Sequence, residues 1–261
     1  MDNRPLAIID SGLGGLSVAE KIWEQLPRES TIYLADHQFF PYGDKTTQQI
    51  NRRLVGILNF LSAQNSKAVV IACNTITTNS IDILRQLYNL PFVGTEPAIK
   101  PAIEPNLKEN IVVLSTTATA KSKSFNQLIN QLDKKGKVVL HPCRGLVEDI
   151  EKFANQPAKI EKSIEKHLQK IKDPFSTLVL GCTHYALVRN IIKNLVPPHV
   201  LVIEPSQAIA KQTEKILKKE SLLSTLNPSK KIFLTTGNAQ KASQAASSLL
   251  NQGIIFTRCS L

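Results

Sequence analysis

The 261 residues suffice for one large domain or two modest ones of about 150 residues, with a sizeable core. Apolar residues make up 42% and charged residues 20%, which excludes a disordered tail and a membrane-embedded chain. Thirty-two Lys plus Arg against 21 Asp plus Glu leave a net charge of +11, a bias towards anionic partners such as nucleic acid, acidic lipids or small carboxylates.

Short apolar runs alternate with helical periods, the pattern of a parallel sheet covered by helices, so the fold class is α/β. Residues 6–9, 30–34, 68–72, 111–115, 137–140, 177–180, 200–203 and 231–235 read as strands buried on both faces. The clearest helix is 44–63, where Ile50, Leu54, Ile57, Leu58 and Leu61 share one face as core packing. The stretch 90–110 holds four of the 14 prolines and breaks the rhythm, marking a crossing between two domains, with a second crossing near 204–208. Lys-rich segments at 157–172 and 217–231 read as solvated helix faces and a loop. Interleaved Glu and few aromatics speak against a nucleic-acid footprint.

Cys73, Cys143, Cys182 and Cys259 stand singly with no CxxC pair, which points to a reducing compartment rather than a disulfide framework. The opening MDNRPLAIIDSGLGG lacks the apolar stretch of a secretory signal, and no run approaches the roughly 20 residues that span a bilayer. A cytoplasmic location is expected.

The most informative feature is a near repeat, AVVIACNT at 68–75 against TLVLGCTH at 177–184. In each copy an apolar strand ends in a small residue, a cysteine and a polar pair before a helix. Ligands of open α/β sheets sit beyond the carboxyl ends of the strands, where Cys73 and Cys182 would each stand in its own half. A thiol at a helix N-terminus is also placed to act as a base. A lone cysteine in such a place is ordinarily a small buried hydrophobe, but the duplication argues for more. The first strand ends IIDSGLGGLS, with Asp10 at its terminus and glycines in the turn. This differs from the dinucleotide fingerprint: Ser17 stands where the third glycine belongs, and Asp10 would face the pyrophosphate, although Asp36 sits where a ribose-binding acid would. His37, His141, His167 and His199 lack motif context and read as surface or satisfied histidines. His141 and Cys143 are two apart, but no second pair offers the rest of a tetrahedral zinc site, so no metal is expected.

Together IIDSGLGGLSV, YLAD followed by PYG at 41–43, ACNT at 72–75, TEP at 95–97, STTAT at 115–119 and GCTHY at 181–185 resemble the glutamate racemases, over nearly the whole chain. The resemblance implies a cofactor-independent racemase that supplies D-glutamate for peptidoglycan, with Cys73 and Cys182 as acid and base on opposite faces of the substrate α-carbon. Asp10 beside Cys73 and His184 beside Cys182 match the family's assisting residues, and the register counted from Cys143 selects Glu151 over Glu148 as a further one. By the same analogy Asp10, Ser11, Tyr42, Gly43, Asn74, Thr75, Thr119, Thr183 and His184 hold the substrate. Two domains of similar topology are implied, 1–94 plus 208–261 and 95–207, with the site in the cleft between them and helix 238–251 completing the first sheet's cover. A homodimer is common in the family. Ser115 and Glu204-Pro205-Ser206 depart from its pattern. The alternatives are an aspartate racemase, whose second motif resembles GCTE where this chain has GCTHY, and a non-catalytic binder of acidic partners.

Overall fold

The computed structural model describes residues 1–103 and 109–261. In chain order it runs β1 (Leu6–Asp10), α1 (Leu16–Gln25), β2 (Thr31–Ala35), α2 (Thr47–Ala63), β3 (Ala68–Ile71), α3 (Asn74–Leu87) and β4 (Phe92–Gly94). Next come β5 (Asn110–Ser115), α4 (Thr117–Lys121), α5 (Lys123–Leu132), β6 (Val138–Pro142), α6 (Leu146–Lys152), α7 (Pro157–Leu168), β7 (Phe175–Gly181), α8 (Thr183–Leu187), α9 (Arg189–Leu195) and β8 (Leu201–Ile203). The chain closes with α10 (Ser206–Lys219), β9 (Lys231–Thr235), α11 (Ala239–Leu250) and β10 (Thr257–Arg258). Among the described residues the strands form two sheets, ordered β10-β9-β2-β1-β3-β4 and β6-β5-β7-β8, with every pairing parallel.

The runs LAIID, TIYLA and AVVI are buried along their whole length because helices cover both faces of the first sheet. On one face, α1, α10 and α11 bring Leu16, Ile22, Ile209, Leu217 and Ala246 onto Leu6, Ile8 and Tyr33. On the other, α2 packs Ile50, Leu54, Ile57, Leu58 and Leu61 against Ile9 and Ile71, the stripe read from the sequence. The start of α2 is fixed by Thr46, whose side chain accepts the Gln49 N–H while the Gln49 side chain reaches back to the Thr46 N–H.

The strands expected at 137–140, 200–203 and 231–235 form, but burial on both faces does not hold for them. β6 and β8 are edge strands, and β9 is shielded on its outer side only by the two residues of β10, so each exposes part of its length. β4 and β10, of three and two residues, are too short to show a period. In the proline-rich stretch β4 still belongs to the first sheet, whereas Ile99 and Ala102 pack with Ile111, Val113 and Val179 of the second. Residues 104–108 of that stretch lie outside the described residues. Among the described residues no helix is long and apolar enough to cross a membrane.

Candidate active site

In parallel sheets the ligand site lies where the strand order reverses, beyond the carboxyl ends of the strands. The order reverses around β1, flanked by β2 and β3, and around β5, flanked by β6 and β7. Asp10 ends β1, Cys73 follows β3, Ser115 ends β5 and Cys182 follows β7. Ser11, Cys73 and Asn74 from the first sheet share one cavity with Cys182, Thr183 and His184 from the second.

The repeat seen in the sequence is also a repeat in the backbone. Each cysteine immediately precedes its helix in extended conformation, Cys73 at φ −140° and ψ 117°, Cys182 at φ −146° and ψ 137°. Helix α3 has 14 residues and α8 five, so the helix dipole favours negative charge more at Cys73 than at Cys182. Burial nevertheless pushes the Cys73 thiol up, and the negative charge of Asp10 adds to the effect, against backbone N–H groups of Ile76 and Ser11 that favour the thiolate. Cys73 therefore stands as a neutral thiol near pH 7. Asp10 is itself buried, which raises its pKa despite the charge of His184 and hydrogen bonds from the Gly12 N–H at 2.7 Å and the Thr183 hydroxyl at 3.0 Å.

Behind Cys182 stands a carboxylate between two imidazoles. His184 Nε2 lies 2.7 Å from Glu151 Oε1, and His37 Nε2 lies 3.0 Å from Glu151 Oε2. The Leu13 N–H donates to Glu151 Oε1 at 2.7 Å, so the glycine turn of β1 is tied to α6 of the other sheet. Burial alone would lower the pKa of His184, but hydrogen bonds to Cys182 and Glu151 outweigh it and hold the ring well above its ordinary value. Burial likewise would raise Glu151, and the two histidines instead bring it down to about 2. The result is a charged pair whose imidazole reaches the Cys182 sulfur, so a proton can be held or returned there.

The cavity wall is otherwise largely neutral and polar. Asn74 Nδ2 donates to the Thr95 carbonyl at 3.1 Å, leaving a buried Oδ1 with no partner among the described residues. The Thr75 and Thr116 hydroxyls are 2.8 Å apart, and Thr116 donates to the Thr119 hydroxyl at 3.0 Å. Arg144 adds one cation, and Asp44 and Glu148 add two acids.

Residues 6–213 match the family described as Asp/Glu/Hydantoin racemase. The chain belongs to that family. As a racemase it is an isomerase. It is 37% identical over 250 residues to a glutamate racemase of Ectopseudomonas mendocina, covering 95% of both chains. Its structure resembles a glutamate racemase isoform of Bacillus anthracis with a TM-score of 0.89 at 29% identity, covering 100% of this chain and 99% of the other. It also resembles the glutamate racemase of Francisella tularensis in complex with D-glutamate, with a TM-score of 0.85 at 27% identity over 100% of this chain and 98% of that one.

Measured against the racemase resemblance, the cavity gathers Cys73, Cys182, Ser11, Tyr42, Gly43, Asn74, Thr75, Thr183 and His184. Asp10, Thr119 and Glu151 are not among its lining residues. Asp10 and Glu151 stand behind the two cysteine turns, and Thr119 supports Thr116, which with Thr117 faces the cavity instead. Tyr42 lines the cavity, but its hydroxyl donates to Asp36 at 2.7 Å. Asp36 is no ribose acid: Arg53 at 2.6 and 2.8 Å and Thr236 at 2.7 Å take up the rest of its carboxylate. Sequence reasoning missed His37, Thr116, Thr117 and Arg144. The last stands in the CRGLVEDIEKF stretch that carries Glu148 and Glu151. Glu204 at the family departure accepts the Ser206 N–H at 2.7 Å and shapes the start of α10.

Proposed function

We propose that this racemase interconverts L- and D-glutamate by a two-base transfer at the α-carbon, with Cys73 and Cys182 on opposite faces of the substrate. The observation that carries this reading is that two cysteines from equivalent turns of two sheets line one cavity. Inversion needs a thiolate on one face to take the α-proton and a thiol on the other to deliver one, because a single base returns the proton whence it came. Cys73, held neutral by burial and Asp10, is the donor in one direction. Cys182, hydrogen-bonded to His184, is the acceptor, with Glu151 keeping the imidazole charged when it holds the thiol proton. In the reverse direction the roles exchange.

Substrate choice follows from the walls. A dianionic amino acid needs many hydrogen-bond donors, which Ser11, Asn74 and Thr117 supply with Arg144, while the Thr75 and Thr183 hydroxyls, whose protons go to Thr116 and Asp10, offer acceptor lone pairs. The unpartnered Asn74 Oδ1 is an acceptor suited to the ammonium group. The reaction requires no cofactor. Supply of D-glutamate to peptidoglycan in the cytoplasm, a homodimer, and the division into 1–94 plus 208–261 and 95–207 complete the reading.

The test is incubation with L-glutamate and, separately, L-aspartate in deuterated buffer, following α-proton loss by NMR together with optical rotation. Exchange with racemisation of glutamate alone supports both reaction and substrate. Exchange of aspartate instead moves the specificity, and exchange of neither removes the two-thiol reading.

A further inference from the structure

Cys143, which lines the cavity but takes no part in the proton transfer, is brought together by the fold with two imidazoles outside the cavity lining. His141 lies on β6, Cys143 in the turn that follows, and His167 at the end of α7. One ring nitrogen of each histidine and the Cys143 sulfur all lie within 4.8 Å of one another. Cys143 is 2% exposed and His167 9%. His141 Nε2 and His167 Nδ1 are buried with no hydrogen-bond partner among the described residues. A buried polar atom left so is destabilising, so two in a cluster with one thiol call for a shared partner. The sequence showed only the close His141 and Cys143. The third group arrives from a different element, which spacing does not reveal.

We propose that His141, Cys143 and His167 form a binding site for a borderline-soft transition-metal dication of the Zn²⁺ type, with water at the fourth position. Two imidazoles and one thiolate are a set that such ions take in tetrahedral geometry. Bond lengths of about 2.0–2.3 Å put ligand atoms roughly 3.3–3.6 Å apart, so the side chains close by about 1 Å around the ion. Each ring is steered by the backbone, His141 by that of His167 and His167 by that of Arg144, as is common for metal-bound imidazoles.

Binding forms a metal–sulfur bond and releases the Cys143 proton to solvent, while the thiol gives up its contact to the His141 carbonyl at 3.5 Å. The thiolate leaves one net positive charge on the bound dication. Lys170 opposes that charge, and Asp149 near His167 offsets it.

The experiment titrates the full chain, stripped with chelator and kept reduced, with Co²⁺ and then with Zn²⁺. One equivalent of Co²⁺ is expected to give a thiolate-to-cobalt charge-transfer band and the visible bands of a tetrahedral ion, both lost on displacement by Zn²⁺. His141→Gln, Cys143→Ser and His167→Gln should each weaken Co²⁺ binding by at least about 100-fold, with near-UV circular dichroism reporting which of them fold. Cys182→Ser should keep the spectrum. The proposal is overturned by the absence of these bands at millimolar Co²⁺. It is equally overturned if the bands survive in folded His167→Gln or vanish in Cys182→Ser, which would make Cys182 a ligand of the ion.

Discussion

His184 Nε2 lies 2.7 Å from Glu151 Oε1, a pairing that joins the turn after β7 to α6 and is completed by His37 on the other carboxylate oxygen. The pair makes stability depend on pH in two opposite senses. Glu151 is brought down from 4.5 to about 2, so its contribution is fully present above 4.5 and is lost as pH falls towards 2. His184 is raised above 6.5, so its contribution is present below 6.5 and is lost as pH rises through the folded value. Between these limits both act together. Urea unfolding from pH 6 to pH 2 should show a loss from Glu151 of up to roughly 3 kcal/mol, which Glu151→Gln abolishes. An unchanged acid limb in Glu151→Gln would remove the carboxylate from this role.

The same substitution should slow racemisation by about 10²-fold or more while the cysteines remain. Without the carboxylate, His184 loses its charged partner and its pKa falls. The limb of the pH–rate profile that reports loss of the imidazolium should therefore move to lower pH. A uniform drop in rate with no displacement of that limb would mean that Glu151 acts on structure alone.

Eight strands were legible because LAII, AVVI and their like stand out as apolar runs, and the paired cysteine turns were legible because each is written in consecutive residues. What escaped depends on contacts distant in sequence. His37 reaches Glu151 across 114 residues, with no local signal. Thr116 faces the cavity and Thr119 stands behind it because Thr116 precedes α4 and accepts the Thr119 N–H at 3.1 Å, a detail of helix start that the run STTAT does not specify. Tyr42 lines the cavity, but the direction of its hydroxyl is decided by Asp36 and Arg53, which the PYG motif does not specify.

Cys73→Ser and Cys182→Ser test the two-base reading most directly. A serine hydroxyl is too weak an acid to exchange places with a thiol, so each variant should lose at least about 10²–10⁴-fold in turnover of either enantiomer, with near-UV circular dichroism unchanged. The swap is nearly isosteric, and each side chain sits at a helix start where serine is favoured. Turnover near that of the parent by either variant would exclude that cysteine as an acid or base.

Asp36 is a buried charge whose partners make the Tyr42 substitution a measure of support rather than of binding. Tyr42→Phe removes a hydrogen bond to a carboxylate and should cost about 1.5–3 kcal/mol in urea unfolding, with the KM for substrate little changed. Arg53→Met leaves the carboxylate without its cation and should cost more, roughly 3–5 kcal/mol. A large rise in KM for Tyr42→Phe at unchanged stability would return the hydroxyl to the substrate.

Gly14 lies where the glycine turn after β1 presses against the turn that carries Cys182. A Cβ there would run into the His184 ring, and would come within 2.6 Å of both the His184 backbone nitrogen and the Thr183 hydroxyl. These atoms belong to the turn that carries Cys182, and the Thr183 hydroxyl is the one that donates to Asp10 at 3.0 Å. Gly14→Ala must therefore push that turn away from Asp10 by a few tenths of an ångström or more, and displacement on the scale of 1 Å costs about 10²-fold in catalysis. The expected outcome is a fall in kcat/KM of that order, with a smaller proportional change in urea midpoint because the shift is confined to the cleft. Retention of full activity would show that the contact between the glycine turn and the Cys182 turn is not needed to align the thiols.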